Sequence, residues 1–291
     1  MDLYLAALLQ GLCFSGMAVG IYLSMKIFNI PDITTDGSYA LGGVITGVLL
    51  IHAFPLYVTA LIVLIAGAIA GAFTAFIHTK IRINALLAGI LVMTALYSVN
   101  LTIAGRSNLP LIGTSSVFDL IRLTNEPTIN SLIVIVIISA VVIITVGRSL
   151  KTDFGLAMRA TGNSETMIRA LGVNTDRMKI IGLAIANALT ALSGFLITQQ
   201  QGFADVNMGI GIVIIGLGSV IIGETLINWL RVTSIMLSLV LILAGAIIFQ
   251  IVLAVTLDLG VNPNLLKAVT AILVLLIVGI PRLAFDRHDQ V

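Results

Sequence analysis

The side chains that could do chemistry in this 291-residue chain are few and widely separated. Cys13 is the only cysteine, which excludes an internal disulfide or a Cys-based metal site. His52, His78 and His288 fit no metal-ligand motif. The chain has no His-Glu-x-x-His, no Gly-x-Ser-x-Gly and no paired aspartates within apolar runs. We therefore predict no catalytic residue and no metal site, and an intramembrane enzyme is the least favoured class.

A polar break at residues 31–37, Pro-Asp-Ile-Thr-Thr-Asp-Gly, carries two carboxylates between apolar runs. At membrane depth a carboxylate is costly and needs a function or a partner. One interpretation is a solvated cytoplasmic turn, and the other is a gate or the lining of a translocation path. For Asn100 and Asn187, inside apolar runs, interhelical hydrogen bonding is favoured over substrate contact. The predicted path residues are Asp32, Thr34, Thr35, Asp36, Ser38 and Asn187.

The composition places the chain in a lipid bilayer. Hydrophobic residues make up 59% and charged residues 10% of the sequence, whereas soluble domains carry about 25% charged residues. A net charge of +2 leaves no basic patch for nucleic acid, and the apolar content excludes disorder. We predict an all-α, multi-pass membrane protein surrounded by lipid, and we do not expect nucleic acid as a partner.

Nine apolar runs reach, or nearly reach, the roughly 20 residues that a membrane helix needs. We therefore predict about nine transmembrane helices, and eight to ten stay open because three of the runs are short. The runs cover about residues 3–25, 37–53, 56–77, 84–104, 131–146, 179–199, 209–223, 232–256 and 265–280.

The basic residues give the orientation of these spans. If the loop 147–179 is cytoplasmic and the spans alternate from there, the inner segments hold twelve lysines and arginines and the outer segments hold three. This distribution obeys the positive-inside rule, and the flipped topology would violate it. The predicted location is the bacterial cytoplasmic membrane, with the N-terminus outside and the C-terminus inside.

A second polar break, at residues 202–208, echoes the first. Shifting the chain by 173 residues aligns Asp32 with Asp205, and the two breaks face opposite sides of the membrane. This predicts an inverted repeat of four spans, which is a transporter signature; two ordinary polar loops are the alternative. We treat the chain as one transmembrane domain, 1–291, made of a first half 1–130, a linking span and cytoplasmic loop 131–178, and a second half 179–291.

Glycines in the run 209–223 form two stripes of a helix, because positions seven apart share a face. Because small residues on two faces let neighbouring helices approach closely, we predict close helix packing on both faces. Direct substrate contact is the alternative. A similar small stripe occurs in the run 56–77. The predicted packing residues are Gly209, Gly216 and Gly223 on one face, Gly211 and Gly218 on the other, and Gly67 and Gly71 in the earlier run.

The cytoplasmic segment 153–172 is too polar to span the membrane but keeps helical periodicity. We predict an elbow of two short helices broken at Gly162, with Asn163 or Ser164 capping the second helix and Gly172 ending it. Its apolar faces need either a partner protein or the lipid headgroups. These faces comprise Phe154, Ala157 and Met158 in the first helix and Met167, Ile168 and Leu171 in the second.

Two runs in this elbow carry a family resemblance: Met-Arg-Ala-Thr-Gly-Asn at 158–163 and Ala-Leu-Gly-Val-Asn at 170–174. They resemble the coupling loop of ABC-importer permeases of the branched-chain amino acid class. The stretch 31–38 is similar to a subgroup that pairs with lipoprotein-type binding proteins, several members of which import aromatic amino acids such as tryptophan or tyrosine. The resemblance covers nearly the whole chain.

The resemblance implies a homodimeric, type II-like importer permease working by alternating access. Two cytoplasmic ATPase subunits would dock on the elbow, and an extracytoplasmic binding protein would deliver an aromatic or branched-chain amino acid. The chain has no Gly-x-x-x-x-Gly-Lys-Ser/Thr motif, so we expect no cofactor on it and no enzymatic activity of its own. ATP and Mg²⁺ would bind the partner ATPase. An ion-coupled secondary transporter is the rival hypothesis.

The implied coupling residues form an apolar group for the ATPase groove and a polar rim around it. Gly162 and Gly172 would shape the elbow between and after its helices. The groove residues are Met158, Met167, Ile168 and Leu171, and the rim residues are Arg159, Glu165 and Arg169.

Overall fold

The computed structural model describes residues 2–120, 124, 126–262 and 265–285, and helices dominate this part of the chain. A π-helical turn (Leu23–Ile27) follows α2, and a 3₁₀ turn (Val206–Gly209) precedes α11. The strands β1 (Asn108–Pro110) and β2 (Phe203–Asp205) form a small antiparallel pair. The helices are α1 (Asp2–Cys13), α2 (Ser15–Tyr22), α3 (Thr34–Ile51), α4 (Leu56–Lys80), α5 (Ala85–Ala104), α6 (Val117–Leu120), α7 (Pro127–Ser149), α8 (Asp153–Asn163), α9 (Glu165–Ala170), α10 (Thr175–Gln201), α11 (Ile212–Trp229), α12 (Ile235–Asp258) and α13 (Leu266–Phe285).

The all-α prediction is confirmed, but the count of nine spans is not. Six helices in the described residues are long and apolar enough to cross a membrane, and α1 with α2 makes a seventh if a pair bent by 42° is one span. Each of the nine apolar runs coincides with a helix or a helix pair. The two helices that are not counted are α3, whose first turn is polar, and α13, in which the apolar stretch among the described residues is Leu266–Ile277.

Helix α10 is the axis of the molecule, and α2 lies antiparallel against it. A Cβ added to Gly16 would lie 2.7 Å from the carbonyl oxygen of Leu189, and one added to Gly20 would lie 2.4 Å from that of Ala186. Such distances show direct backbone contact. Without a hydrophobic driving force in lipid, close packing of this kind holds membrane helices together.

Helices α4 and α3 approach other faces of α10 in the same way. A Cβ on Gly71 would lie 2.1 Å from the carbonyl oxygen of Leu183, and one on Gly42 would lie 2.1 Å from that of Ala191. Gly67 also faces Ala191, at 2.6 Å from its Cβ. Glycines on three helices therefore let α10 sit at van der Waals contact with each of them.

The glycines of the run 209–223 do not form two continuous helical stripes. Gly209 and Gly211 precede α11, and Gly211 has a left-handed φ of +82°, so it shapes a turn rather than a helix face. Inside α11, Gly216 faces Ile21 of α2, whereas the other two glycines face α12. Those contacts join Gly218 to Phe249 and Gly223 to Ile242.

We expect Gly71→Ala to destabilise the protein by about 1–3 kcal/mol, because the new methyl group would overlap the backbone of α10. The measurement is the thermal unfolding midpoint of the detergent-purified protein. Gly279→Ala is the control, since no described residue lies within 4 Å of a Cβ at that helical position. Equal midpoints for the two variants would contradict the packing argument.

Candidate functional site

The polar residues of the first break converge in one buried cluster. One carboxylate oxygen of Asp32 accepts a hydrogen bond from Asn187 Nδ2 at 2.7 Å, and Ser38 donates to Asn187 Oδ1 at 2.7 Å. The other oxygen of Asp32 accepts from the backbone N–H of Thr34 at 2.9 Å, and the Thr34 and Thr74 hydroxyls lie 2.7 Å apart. Thr35 donates to the carbonyl of Asp32 at 3.3 Å. The cluster thus joins α3, α4 and α10 through their side chains.

This cluster lies near the middle of α10, the longest described helix. Asn187 comes twelve residues after the first residue of α10, a rise of about 18 Å at 1.5 Å per residue. Asp32 is 3% exposed and Asp36 is 7% exposed. The solvated-turn interpretation is therefore wrong, because both carboxylates are buried among the helices rather than exposed in a loop.

Asp36 sits where two helices begin. Its two carboxylate oxygens accept backbone N–H groups of Gly211 at 2.9 Å and Val213 at 2.7 Å. A carboxylate at a helix N-terminus satisfies the free N–H groups and complements the helix dipole. Helices α3 and α11 consequently start side by side in the interior, with the side chain of one closing the end of the other.

From this common point the two helices leave in opposite directions. Helix α3 runs parallel to α10, since Ser38 meets Asn187 and Gly43 meets Thr198 further along both chains. Helix α11 runs parallel to α2, because Gly216 packs on Ile21 and Glu224 pairs with Lys26 at 3.0 Å. As α2 is antiparallel to α10, α11 is antiparallel to α3.

A cavity of about 260 Å³ borders this point on the side of α5. Asn100 donates to the carbonyl of Gly37 at 3.3 Å, while its side-chain oxygen is buried and has no hydrogen-bond partner among the described residues. Sequence reasoning placed Asn100 in an interhelical bond and missed the cavity, because non-local packing creates it. The described lining residues are Asp36, Gly37, Ala40, Met93, Thr94, Tyr97, Asn100, Val206, Gly209 and Ile210.

The elbow is a second polar site, but its break is not at Gly162. Helix α8 continues through Asn163, and Ser164 separates it from α9 without making a side-chain cap. A Cβ on Gly162 would lie 1.6 Å from the carbonyl oxygen of Ile27, and Asn29 Nδ2 donates to the Gly162 carbonyl at 3.1 Å. Gly162 is therefore the point where the elbow touches the chain leading into the first break.

The groove residues divide between the inside and the outside of the elbow. Met158 is 3% exposed and packs in the core with Leu23 and Ile27, so its assignment to the docking face is corrected. Met167 and Leu171 are 63% and 70% exposed. Ile168 is half-buried, Gly172 ends the elbow with a φ of +85°, and Leu156, which the sequence analysis did not select, is 57% exposed.

The acidic and basic residues of the elbow bind α10 as well as facing outward. Glu165 accepts Lys179 Nζ at 2.5 Å and Arg169 at 2.9 Å, and Arg169 also reaches Asp176 at 3.2 Å. The hydrogen bond from Lys179 holds the pKa of Glu165 below its ordinary value. The Nε atom of Arg159 is buried and has no hydrogen-bond partner among the described residues. Glu165 and Arg169, which were predicted as rim residues of the docking face, thus form an ion-pair clamp between the elbow and α10.

Metal ligands do not cluster in the part of the chain that the structure describes: no group of three or more His, Cys, Asp or Glu residues could hold an ion. The carboxylates of both sites accept hydrogen bonds from N–H donors or from basic side chains.

Comparison with known proteins places the chain among transport permeases. Residues 3–278 match the family model of the permease component of branched-chain amino acid transport systems. A tyrosine transport system permease of Clostridioides difficile is 36% identical, over 93% of this chain and 88% of that protein. An uncharacterized protein of Rickettsia prowazekii is 33% identical, over 94% and 95% of the two chains. A ribose import permease of Haemophilus influenzae is 24% identical, over 72% and 64%. No solved structure matches.

We expect Glu165→Gln to loosen the elbow, because it removes the charged acceptor of Lys179 and Arg169. Hydrogen exchange of residues 165–171 should accelerate several-fold while the middle of α10 is unchanged. The native Glu165 has a lowered pKa, so the clamp is complete above the ordinary carboxyl pKa of 4.5 and weakens as the pH falls through the folded-state pKa. Glu126→Gln, at an exposed position, is the control; equal exchange in both variants would refute the clamp.

Proposed function

The chain belongs to the permease family of branched-chain amino acid transport systems, and from this premise we propose that it imports an aromatic or branched-chain amino acid by alternating access. It is a permease subunit of an ABC importer and a multi-pass protein of the bacterial cytoplasmic membrane. Its family and its relatives are transport subunits. The observation that carries the mechanism is the contact of the elbow with Ile27 and Asn29, a few residues before the buried polar cluster.

An amino acid substrate is supported by similarity to the Clostridioides difficile tyrosine permease over nearly the full length of both proteins. The ribose permease of Haemophilus influenzae matches over a smaller share of the chain and at lower identity. We therefore place aromatic amino acids first and branched-chain amino acids second. A direct test is ATP-dependent uptake of labelled L-tyrosine by proteoliposomes that contain the permease, its ATPase and its binding protein.

The exposed apolar side chains of the elbow are the proposed docking face for a separate ATPase. Leu156 and Met167 project from the two short helices of the elbow, and Leu171 projects from the turn that follows them. Large exposed apolar groups on a soluble surface mark a protein contact. Anchors of this kind carry most of the energy of an interface. ATP and Mg²⁺ bind the ATPase in this proposal and reach the permease only through the movement of the elbow.

The proposed route of that movement is short. Gly162 of α8 touches Ile27, the π-helical turn ends there, and Asp32 follows five residues later in the buried cluster. Asn29, between them, holds a left-handed φ of +52° and bonds the elbow. π-Helical turns occur frequently at functional sites. Displacement of the elbow therefore acts on the start of α3 without passing through a long helix.

The partners proposed besides the ATPase are a second copy of the chain and an extracytoplasmic binding protein. The family's role in importers supports both. We also propose that α3 and α13 lie within the bilayer, which gives nine membrane segments. Nearly all of α3 is buried by neighbouring helices, so it needs no lipid-facing apolar surface.

An inverted repeat is supported by the local geometry of the two breaks. Asp32 Oδ1 accepts the N–H of Thr34 at 2.9 Å, and Asp205 Oδ1 accepts that of Asn207 at 2.7 Å. The same aspartate turn precedes α3 and α11, which run antiparallel. Breaks of this kind at membrane depth suit a site that opens alternately to each side. An ion-coupled carrier has no use for the ATPase-docking elbow, and the family assignment favours the importer.

We expect Leu171→Asp to abolish ATPase copurification or uncouple ATP hydrolysis from uptake, because a carboxylate would be buried in the docking face. Copurification and the uptake of labelled L-tyrosine are the measurements. Arg177→Asp, also exposed but on α10, is the control for a new charge nearby. Normal copurification and uptake in the Leu171 variant would refute this docking face.

We expect Gly162→Ala to reduce uptake at least tenfold while ATPase binding persists, because the methyl group would push α8 from the carbonyl of Ile27. Asn163→Ala, next to it and exposed, is the control. Uptake at the wild-type rate in the Gly162 variant would show that this contact transmits nothing.

A further inference from the structure

We propose that the cavity beside Asp36 is the solute site within the membrane and that it recognises the ammonium group of an amino acid. The inference rests on the proposed function as an importer, and it names the atoms that select the solute. The cavity lies between the start of α3, the middle of α5 and the turn before α11.

Asn100 provides the first independent reason for a ligand. Its side chain is 1% exposed, and its amide oxygen has no partner among the described residues although the amide lines the cavity. A buried acceptor without a hydrogen bond is unfavourable. A solute that donates an N–H at this point would satisfy it.

The charge of the cavity is the second reason. Asp36 is the only charged residue among the described residues that line it. Each Asp36 oxygen accepts one backbone N–H, and a carboxylate can accept about four hydrogen bonds, so acceptor capacity remains. A carboxylate with free acceptor sites suits an ammonium donor better than a second carboxylate, so an amino acid bound here would direct its amino group toward Asp36.

The walls suit the rest of such a solute. Met93, Val206 and Ile210 provide apolar surface, and Tyr97, which is 46% exposed, also lines the cavity. An aromatic ring can stack on an aromatic side chain and attract a cation on its face. The volume of about 260 Å³ lies just below the range of about 300–1,000 Å³ typical of ligand pockets, which restricts the site to a small solute.

The position of the cavity links occupancy to conformation. A solute bound there touches the residue that holds the N-terminus of α11 and the first turns of α3. The first turns of α3 follow the segment that the elbow contacts. The solute would therefore have different neighbours in the two conformations of alternating access. A ligand shifts such an equilibrium only by binding the two states differently.

The experiment measures equilibrium binding of three labelled probes to the detergent-purified permease–ATPase complex. L-Tyrosine and tyramine carry the ammonium group, whereas 3-(4-hydroxyphenyl)propionate has the same ring without it. We expect the two amines to bind and the acid to bind at least tenfold more weakly. Equal binding of the acid, or no binding of either amine at millimolar concentration, overturns the proposal.

Two substitutions of Asn100 separate recognition from folding. Asn100→Leu removes the acceptor and should weaken tyramine binding at least tenfold. Asn100→Asp keeps an acceptor oxygen but loses the N–H that bonds Gly37, so tyramine should bind at least as tightly as to the wild type. If the aspartate variant loses binding as the leucine variant does, Asn100 only supports Gly37 and the proposal falls.

A matched pair on α5 tests the boundary of the site. Thr94 and Thr102 are both exposed, and each hydroxyl donates to the carbonyl four residues earlier at 2.8 Å. Thr94 lines the cavity and Thr102 does not. Thr94→Val should weaken tyramine binding several-fold and Thr102→Val should not; equal effects overturn the assignment.

Failure of this inference is distinguishable from failure of the proposed function. Copurification with the ATPase and ATP-dependent uptake by the wild-type complex test the importer itself. Normal uptake with unaltered tyramine binding in Asn100→Leu would leave the importer intact and remove the cavity from its solute path.

Discussion

The structure depends on the need to satisfy two carboxylates that are buried between the helices of a membrane protein. Asp36 takes the N–H groups that start α11, and Asp32 takes those of Thr34 and Asn187. Neither carboxylate is left unpaired, and the free N–H groups of interrupted helices are satisfied by the same atoms. Non-helical backbone at membrane depth is tolerated only where protein encloses it or a cavity needs it. Here the enclosure is complete around Asp32, whereas Asp36 borders the cavity.

The close approach of helices to α10 makes that enclosure possible. Glycines on α2, α3 and α4 put three backbones in contact with α10, so the polar side chains meet at hydrogen-bonding distance. A side chain at Gly42 would push α3 away from α10 and disturb the hydrogen bonds of Asn187 with Asp32 and Ser38. Helix packing and buried hydrogen bonding therefore depend on each other. Small residues let the helices approach, and the buried polar residues determine which parts of the helices meet.

The elbow has an inner and an outer face with different tasks. Its inner face is held by the buried Met158, by Gly162 on Ile27 and by the Glu165–Lys179 pair. Its outer face presents Leu156, Met167 and Leu171. The contact of the elbow with Ile27 lies five residues before Asp32. The geometry thus joins an exposed apolar surface to the buried cluster by a few residues.

The sequence by itself determined the features that depend on local composition. Apolar runs gave the positions of the helices, helical periodicity gave the elbow, and the family motifs gave the permease assignment, which the comparisons confirm. Local pattern could not place Asp32 and Asp36, because a polar break between apolar runs is equally compatible with water and with a buried partner. It also could not distinguish the inward Met158 from the outward Leu171, since both lie on apolar helix faces. Only the tertiary structure decided these points, because contacts between residues more than a hundred positions apart, such as Asp36 with Gly211 and Gly162 with Ile27, determine what is buried.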